Sequence, residues 1–260
     1  MSRRYTISAV ILSKNSEGKI AHTLASLKGW ADEIVVVDGL STDRTVEICK
    51  MYGAKVISHE FAGDFGQERN IGIDNSSGDW ILQLDTDEIV TEGFKREADR
   101  MLSRESDCVA YKFLRKNFFL GHFMKHGGWY HYSLHFFKRG CARYKGRVHH
   151  DLIVDGKIGT IEAEIEHYPF DNLREFVERQ NRYTSLEAEE IVSLNKHIDE
   201  RLICYHMRKK PLKLFWKFYV KKKGYKEGTW GFLFSVLFAW VHFLKWSKVW
   251  ELIRNRGVER

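Results

Sequence analysis

Proline is almost missing from this chain, with two residues in 260. With 43% hydrophobic and 14% aromatic residues, that scarcity excludes a disordered, linker-like polypeptide and predicts a full core. The four cysteines (Cys49, Cys108, Cys141, Cys204) form no CxxC pair and no metal-ligand spacing. A zinc module or disulfide scaffold is therefore excluded, and reduced thiols of a cytosolic protein are expected. No GxGxxG follows the first apolar run and no GxxxxGKS occurs, so neither a dinucleotide fold nor a P-loop is supported. The opening, MSRRYTISAVILSKNSEG, holds only a short apolar run interrupted by serine, and reads as a core strand rather than a secretory leader. Acid is absent from one long stretch: Arg208 to Lys226 carries nine Lys/Arg and no Asp or Glu.

What is present has a clear order. TISAVIL (6–12) reads as a strand, and EGKIAHTLASLKGW as a helix with Ile20, Leu24 and Leu27 on one face. EIVVVD (33–38) is a continuous apolar strand; STDRTVEICKMYG follows with a capping Ser or Thr and a terminal Gly53. AKVIS and GDWILQLD supply two more strands. Strands and helices alternating at this spacing predict a mostly parallel sheet covered on both faces, an α/β fold. From about Val109 the pattern turns to short aromatic-rich strands (VAYKFL, LHFFKR), and after IEAEIEHYPF it becomes helical. The expected division is a catalytic-type domain over residues 1–170 and a helical extension over 171–260.

The fourth strand raises a chemical question. WILQLDTDEIV (80–90) places Asp85, Asp87 and Glu88 at the tip of a core strand, where like charges repel. Asp85 and Asp87 are two apart, so in extended backbone both point to one side. Such a pair suits a hard cation, which in turn holds phosphate, unless the strand simply runs out into a solvated acidic turn. Two neighbouring strand ends weigh against that blander reading. Ser13-Lys14-Asn15 follows strand one and Asp38 ends strand two, and ligands of open parallel sheets collect at carboxyl ends. GDFGQERN (63–70) adds glycines and Arg69 ahead of the next helix, a cation and backbone N–H groups for a diphosphate.

VILSKNSEGKIAHTLASLKGWADEIVVVDGLSTDRTVEICKMYGAKV followed by GDWILQLDTDEIV resembles the family 2 glycosyltransferases of the GT-A nucleotide-diphospho-sugar transferase fold. The similarity is close to the bacterial lipopolysaccharide core β-1,4-glucosyltransferases, and RVHHDLIVDGKIG and HYPFDNLREFVERQNRYTSLEAEE extend it. The resemblance implies that Asp38 contacts the uracil or ribose of a UDP-sugar, with Lys14 and Asn15 by the nucleotide and Arg69 near the phosphates. Asp85 would approach the ribose and diphosphate, and Asp87 would ligate Mg²⁺ or Mn²⁺. There is one departure. Many relatives read Val-His-Glu where this chain reads Val148-His149-His150-Asp151. An inverting transferase needs a base for the acceptor hydroxyl. Asp151 is the candidate and His150 the rival, against a purely structural turn. His167 in IEHYPF is a candidate late metal ligand, against a structural histidine at a strand end.

The tail completes the expectations. TWGFLFSVLFAWVHFLKW is apolar from Trp230 to Leu244 apart from Gly231, Ser235 and His242. Fifteen helical residues would reach about 22 Å, short of a roughly 30 Å hydrocarbon core, so a span is not expected. A cationic run beside five tryptophans between Trp216 and Trp250 suits an anionic membrane surface, with packing on the domain or a dimer partner as the alternative. Nucleic acid is not expected, since its binders keep a polar contact surface. Together with these features, the resemblance implies an inverting, metal-dependent transferase moving a hexose from a UDP-sugar to a lipid-linked saccharide, peripheral on the cytoplasmic face of the bacterial inner membrane. Another acceptor (capsule or protein), a nucleotidyltransferase and a non-catalytic binding module stand as alternatives.

Overall fold

The computed structural model describes residues 5–104, 106–146, 151–194 and 198–258. Two compact units divide the chain. One comprises Met1–Arg115 with His131–His167, the other Lys116–Tyr130 with Tyr168–Arg260. The expected boundary after residue 170 and the observed one after His167 fall in the same strand, but the excursion 116–130 joins the second unit.

The first unit opens with β1 (Ile7–Ser13), α1 (Ile20–Leu27), β2 (Glu33–Asp38), α2 (Thr45–Met51), β3 (Lys55–Ser58), α3 (Phe65–Asp74) and β4 (Trp80–Asp85). The short strand β5 (Glu88–Val90) and α4 (Glu92–Leu102) follow. Then come β6 (Cys108–Phe119), β7 (His122–Phe123, in the excursion that belongs to the second unit), β8 (His131–Lys138), β9 (Ala142–Lys145), β10 (Asp151–Val154) and β11 (Lys157–Phe170). The main sheet runs β3-β2-β1-β4-β8-β6-β11-β5, and β9 and β10 form a separate hairpin. β3, β2, β1 and β4 pair in parallel, whereas β8 lies antiparallel to both β4 and β6. Alternate side chains feed two apolar layers, Ala9, Ile11, Val36 and Leu82 on one face and Val10, Val35 and Ile81 on the other.

Register decides where the site can be. Ser13 pairs with Asp38, Leu12 with Asp85, and Asp38 with Ser58, so the carboxyl ends of the four parallel strands finish level. On the far side, β11 pairs antiparallel with β5 so that His167 stands opposite Glu88. Gly72 lets α3 close on the sheet, because a Cβ there would lie 2.3 Å from Val10 Cγ1.

The second unit contains α5 (Leu173–Leu194), α6 (Glu200–Cys204), α7 (Lys210–Trp216) and α8 (Gly228–Val258). Tyr205–Lys209 and Lys217–Lys221, on either side of α7, are wound more loosely as π-helix. Phe119, Phe176 and Phe234 pack edge to face at 5.7–5.9 Å in one core. Ala188, Val192, Ile203, Trp246 and Val249 form another. One expectation is corrected here. The apolar block is part of a 31-residue helix, roughly 46 Å long, so its length does not prevent a span. By length and composition alone it is long and apolar enough to cross a membrane.

Candidate active site

Three carboxyls and two guanidinium groups crowd the tip of β4. Asp85 Oδ1 accepts from Arg69 Nη2 at 2.8 Å and Oδ2 from Arg115 Nη2 at 3.1 Å. Arg115 Nε stands 2.7 Å from Glu88 Oε1, and Glu88 Oε2 accepts the backbone N–H of Asp85 at 2.8 Å. Burial opposes ionisation of Asp85, but the Arg69 and Arg115 charges outweigh it and hold the carboxyl well below the usual range. Glu88 is pushed the other way, up to about 7, by burial and by the neighbouring Asp85 and Asp87, despite Arg115. Like carboxyls in one place thus divide into one held ionised and one held near neutrality.

Asp87 and His167 complete the group. His167 Nε2 is 3.3 Å from Asp87 Oδ1, and both residues are buried. Burial, reinforced by Arg115, lowers the His167 pKa and favours a neutral ring. Two electron-rich atoms so close are relieved by a proton or a cation between them. Ligand atoms of Asp85, Asp87 and His167 all lie within 4.8 Å of one another. Two carboxylates with one imidazole form a donor set that suits a divalent ion of the Mg²⁺–Mn²⁺ type. Asp85 accepts two arginines, while Asp87 and His167 face each other.

The neighbouring strand ends form a second cradle. Asp38 is buried, with Oδ2 accepting Ser41 N at 2.8 Å and Oδ1 accepting Ser41 Oγ at 2.5 Å. Asn15 N donates to Ser41 Oγ at 2.8 Å, and Asn15 Oδ1 accepts Thr42 N at 2.8 Å. Asn15 (φ 47°) and Leu40 (φ 60°) are held in the left-handed region by this stitching. The Lys14 stem lies against Gly39, where a Cβ would come within 3.3 Å of Lys14 Cδ. Lys14 itself is exposed. Ser16 N donates to Thr45 Oγ1 and Glu17 N to Asp43, fixing the first strand-end loop to the second.

Arg69 requires a correction. The segment 63–70 is not a loop before a helix: Asp64 caps α3 through Gln67 N at 2.8 Å, and Arg69 projects from inside that helix. Its guanidinium lies 5.3 Å over the ring of Tyr144, and Tyr144 is tied to Asn70 by backbone bonds at 2.9 and 3.1 Å. Burial pushes the Tyr144 hydroxyl up, so it remains a phenol, bonded to His135 Nδ1 at 2.8 Å.

The fold thus brings Asp85, Asp87, His167 and Arg69 together, and sets Lys14, Asn15 and Asp38 at the adjoining strand ends. Asp151 opens β10 across from Lys145 and is exposed, and among the described residues no hydrogen bond or ion pair joins it to the cluster. His150 lies outside the described residues. Sequence reasoning missed Arg115, Glu88 and Tyr144 as members. Glu88 was in view as the third acid of LDTDE, but nothing local in VAYKFLRK marks Arg115, which arrives on β6 from another part of the sheet.

A family model described as glycosyl transferase family 2 matches residues 8–166, spanning every element that builds this cluster except the end of β11 carrying His167. The chain belongs to that family. Its relatives include an uncharacterized glycosyltransferase of Rickettsia typhi, 27% identical over 97% of this chain and 89% of its own length. The prophage-derived glycosyltransferase SunS of Bacillus subtilis is 28% identical over 56% of this chain and 34% of its own. Among solved structures, Staphylococcus aureus TarS 1–349 aligns at TM-score 0.49 with 15% identity, covering 97% of this chain and 92% of that one. Glucosyl-3-phosphoglycerate synthase of Mycobacterium tuberculosis, crystallised with Mn²⁺, UDP and its product, aligns at 0.38 with 26% identity over 43% and 44%. This family 2 glycosyltransferase carries a possible DxD metal site, Asp85-Thr86-Asp87, with a histidine from the antiparallel side of its sheet beside it.

Proposed function

We propose that the enzyme transfers a hexose, with inversion, from a UDP-sugar to a lipid-linked saccharide, of the kind found in the lipopolysaccharide inner core. Glucose as the sugar and core heptose as the acceptor rest on resemblance. One observation carries the donor reading: the Asp85–Asp87–His167 group opens beside Asp38 and Asn15 at level strand ends. A nucleoside diphosphate has the same plan, an uncharged base and ribose joined to an anionic tail. Asp38, Asn15 and Lys14 would hold the nucleoside. Asp87 and His167 would hold Mg²⁺ or Mn²⁺, with Asp85 alongside; when bound, that ion neutralises charge growing on the UDP leaving group.

The remaining steps belong to this chain's own groups. Arg69 and Arg115 lock the Asp85 carboxylate, so it cannot swing when the donor arrives. Glu88 fixes the turn by accepting the Asp85 N–H. A base takes the acceptor proton as the hydroxyl oxygen attacks the anomeric carbon and the bond to the diphosphate breaks. Asp151 is assigned that role, ahead of His150, since Asp151 is the carboxylate in the segment where relatives carry one.

The test is a panel of nucleotide sugars, read by thermal shift with and without Mn²⁺ and by slow donor hydrolysis. A shift confined to UDP-sugars with metal, with release of UDP, is the expected result. Pyrophosphate release from a nucleoside triphosphate would overturn the reading in favour of nucleotidyl transfer.

A further inference from the structure

The second unit has a surface that the transfer chemistry does not use. From Tyr205–Lys209 through α7 to Lys217–Lys221 the chain stays helical, and exposed residues recur at intervals of four. One row is Lys209, Lys213, Lys217 and Lys221. Beside it Leu212 (73% exposed) and Trp216 (56%) form an apolar row. α8 packs against α7, with Phe232 at 6.0 Å edge to face on Phe215, and it presents a matching stripe of its own. Phe232, Val236, Phe243 and Trp250 are all exposed there, at helical spacing. Glu227, which follows the cationic run, is turned away from solvent between His122 Nε2 (2.8 Å) and His126 Nδ1 (2.5 Å).

We infer that this α7–α8 surface docks flat on an anionic bilayer, lysines on the headgroups and the Leu212, Trp216, Phe232 and Phe243 side chains in the acyl boundary. Charge complementarity selects the occupant. A row of lysines with no acid repels a second copy of itself and attracts an anionic surface, and adjoining aromatics favour the interfacial zone. Lying flat is favoured over crossing by what covers the other side of α8. Gly231, Phe234, Ser235, Ala239, Trp246 and Val249 are buried there. Lys245 pairs with Glu187 at 2.8 Å, and Lys248 Nζ bonds Thr184 and Ser185 of α5 at 2.9 and 2.8 Å. α5 is heavily charged along its outer face, with Glu178, Arg182 and Glu189 exposed. A span would pull those charges into hydrocarbon.

The experiment is flotation of the full chain with phosphatidylcholine vesicles, with and without phosphatidylglycerol, at low and high salt. The wild type is expected on anionic vesicles at low salt only. Changing Lys209, Lys213, Lys217 and Lys221 together to Gln should lower partitioning about a thousandfold at low salt, and the four Arg counterparts should retain it. Leu212→Ser with Trp216→Ser should also release the protein, though its charge is unaltered. Donor hydrolysis by these variants should match wild type, so a failed donor assignment and a failed surface assignment are told apart. Equal binding to neutral vesicles, or resistance to alkaline extraction, would overturn the inference. So would dissociation of a lipid-free dimer by the Trp216 variant, which would assign the surface to a second copy.

Discussion

The tip of β4 and the α7–α8 surface are both densely charged, and they handle charge in opposite ways. At β4 each carboxyl lies against a guanidinium or an imidazole, with Asp87 and Glu88 buried and Asp85 partly so. On and beside α7, Lys209, Lys213, Lys217 and Lys221 are exposed, and among the described residues no ion pair ties them to an acid. Buried opposite charges fix one geometry, because leaving either partner unpaired in a low dielectric is costly. Exposed like charges fix nothing and respond to salt and to an external surface. The first arrangement suits a small, precisely held ligand and the second an extended, fluid one.

The most severe way to break the contrast is to strip a counter-charge from the buried cluster. Arg115→Leu leaves Asp85 and Glu88 with one guanidinium between them, and should cost about 3–5 kcal/mol of stability. Denaturant unfolding measures this, and the loss should be nearly independent of salt. A loss below about 1 kcal/mol would place the cluster among solvent-screened pairs.

Asp87→Ala should leave the fold intact, since Arg69 and Arg115 keep their Asp85 and Glu88 partners. Transfer should fall about 10³-fold, the scale of losing a main electrostatic stabiliser. Saturating UDP with Mn²⁺ stabilises by roughly 2.7 kcal/mol at a hundredfold excess over Kd. That increment should disappear in the mutant and persist in Asp151→Asn, with melting curves as the readout. Equal shifts in wild type and Asp87→Ala would remove Asp87 from the metal set.

Asp151→Asn tests the weaker assignment. If this exposed carboxylate takes the acceptor proton, transfer should drop about a hundredfold while donor hydrolysis and metal-dependent stabilisation stay near wild type. The opposite pattern, normal transfer by Asp151→Asn and loss in His150→Gln, would move the base by one residue.

These predictions draw on unequal shares of sequence and structure. The parallel half was legible because its signals are local: apolar runs of strand length, capped helices between them, and acids at the run ends. Asp38, Asp85 and Asp87 could therefore be placed at strand tips before any coordinates. His167 was a candidate only, because what brings it to Asp87 is the β11–β5 pairing, a contact across nearly eighty residues of chain. Arg115 was invisible for the same reason, arriving on a strand whose neighbours are set by sheet order. Arg69 was identified but misplaced, since glycine-rich GDFGQERN looks like a loop and the Asp64 cap outweighs its glycines. The apolar block ends at Leu244 but the helix does not: Lys245 and Lys248 find partners on α5, and α8 runs on to Val258.

The smallest effect sharpens the comparison most, because it tests an arginine–carboxylate pair of good geometry without burial. Arg143 grips Asp74 with both terminal nitrogens, Nη2 to Oδ2 at 2.8 Å, and each side chain is about half exposed (51% and 52%). Hydrogen bonds from Arg143 lower the Asp74 pKa. A lowered folded-state carboxyl pKa contributes stability that is present above the ordinary value, about 3.9, and is lost as pH falls through the folded one. Arg143→Gln should therefore cost only about 0.2–1 kcal/mol at neutral pH, since solvent screens the pair. The difference from wild type should vanish in strong acid, where Asp74 is protonated in both proteins, and shrink in high salt. Urea melts at neutral and acid pH measure it. A cost at neutral pH as large as that of Arg115→Leu would mean that geometry, not burial, sets the strength of these pairs, and the contrast between the two regions would need another cause.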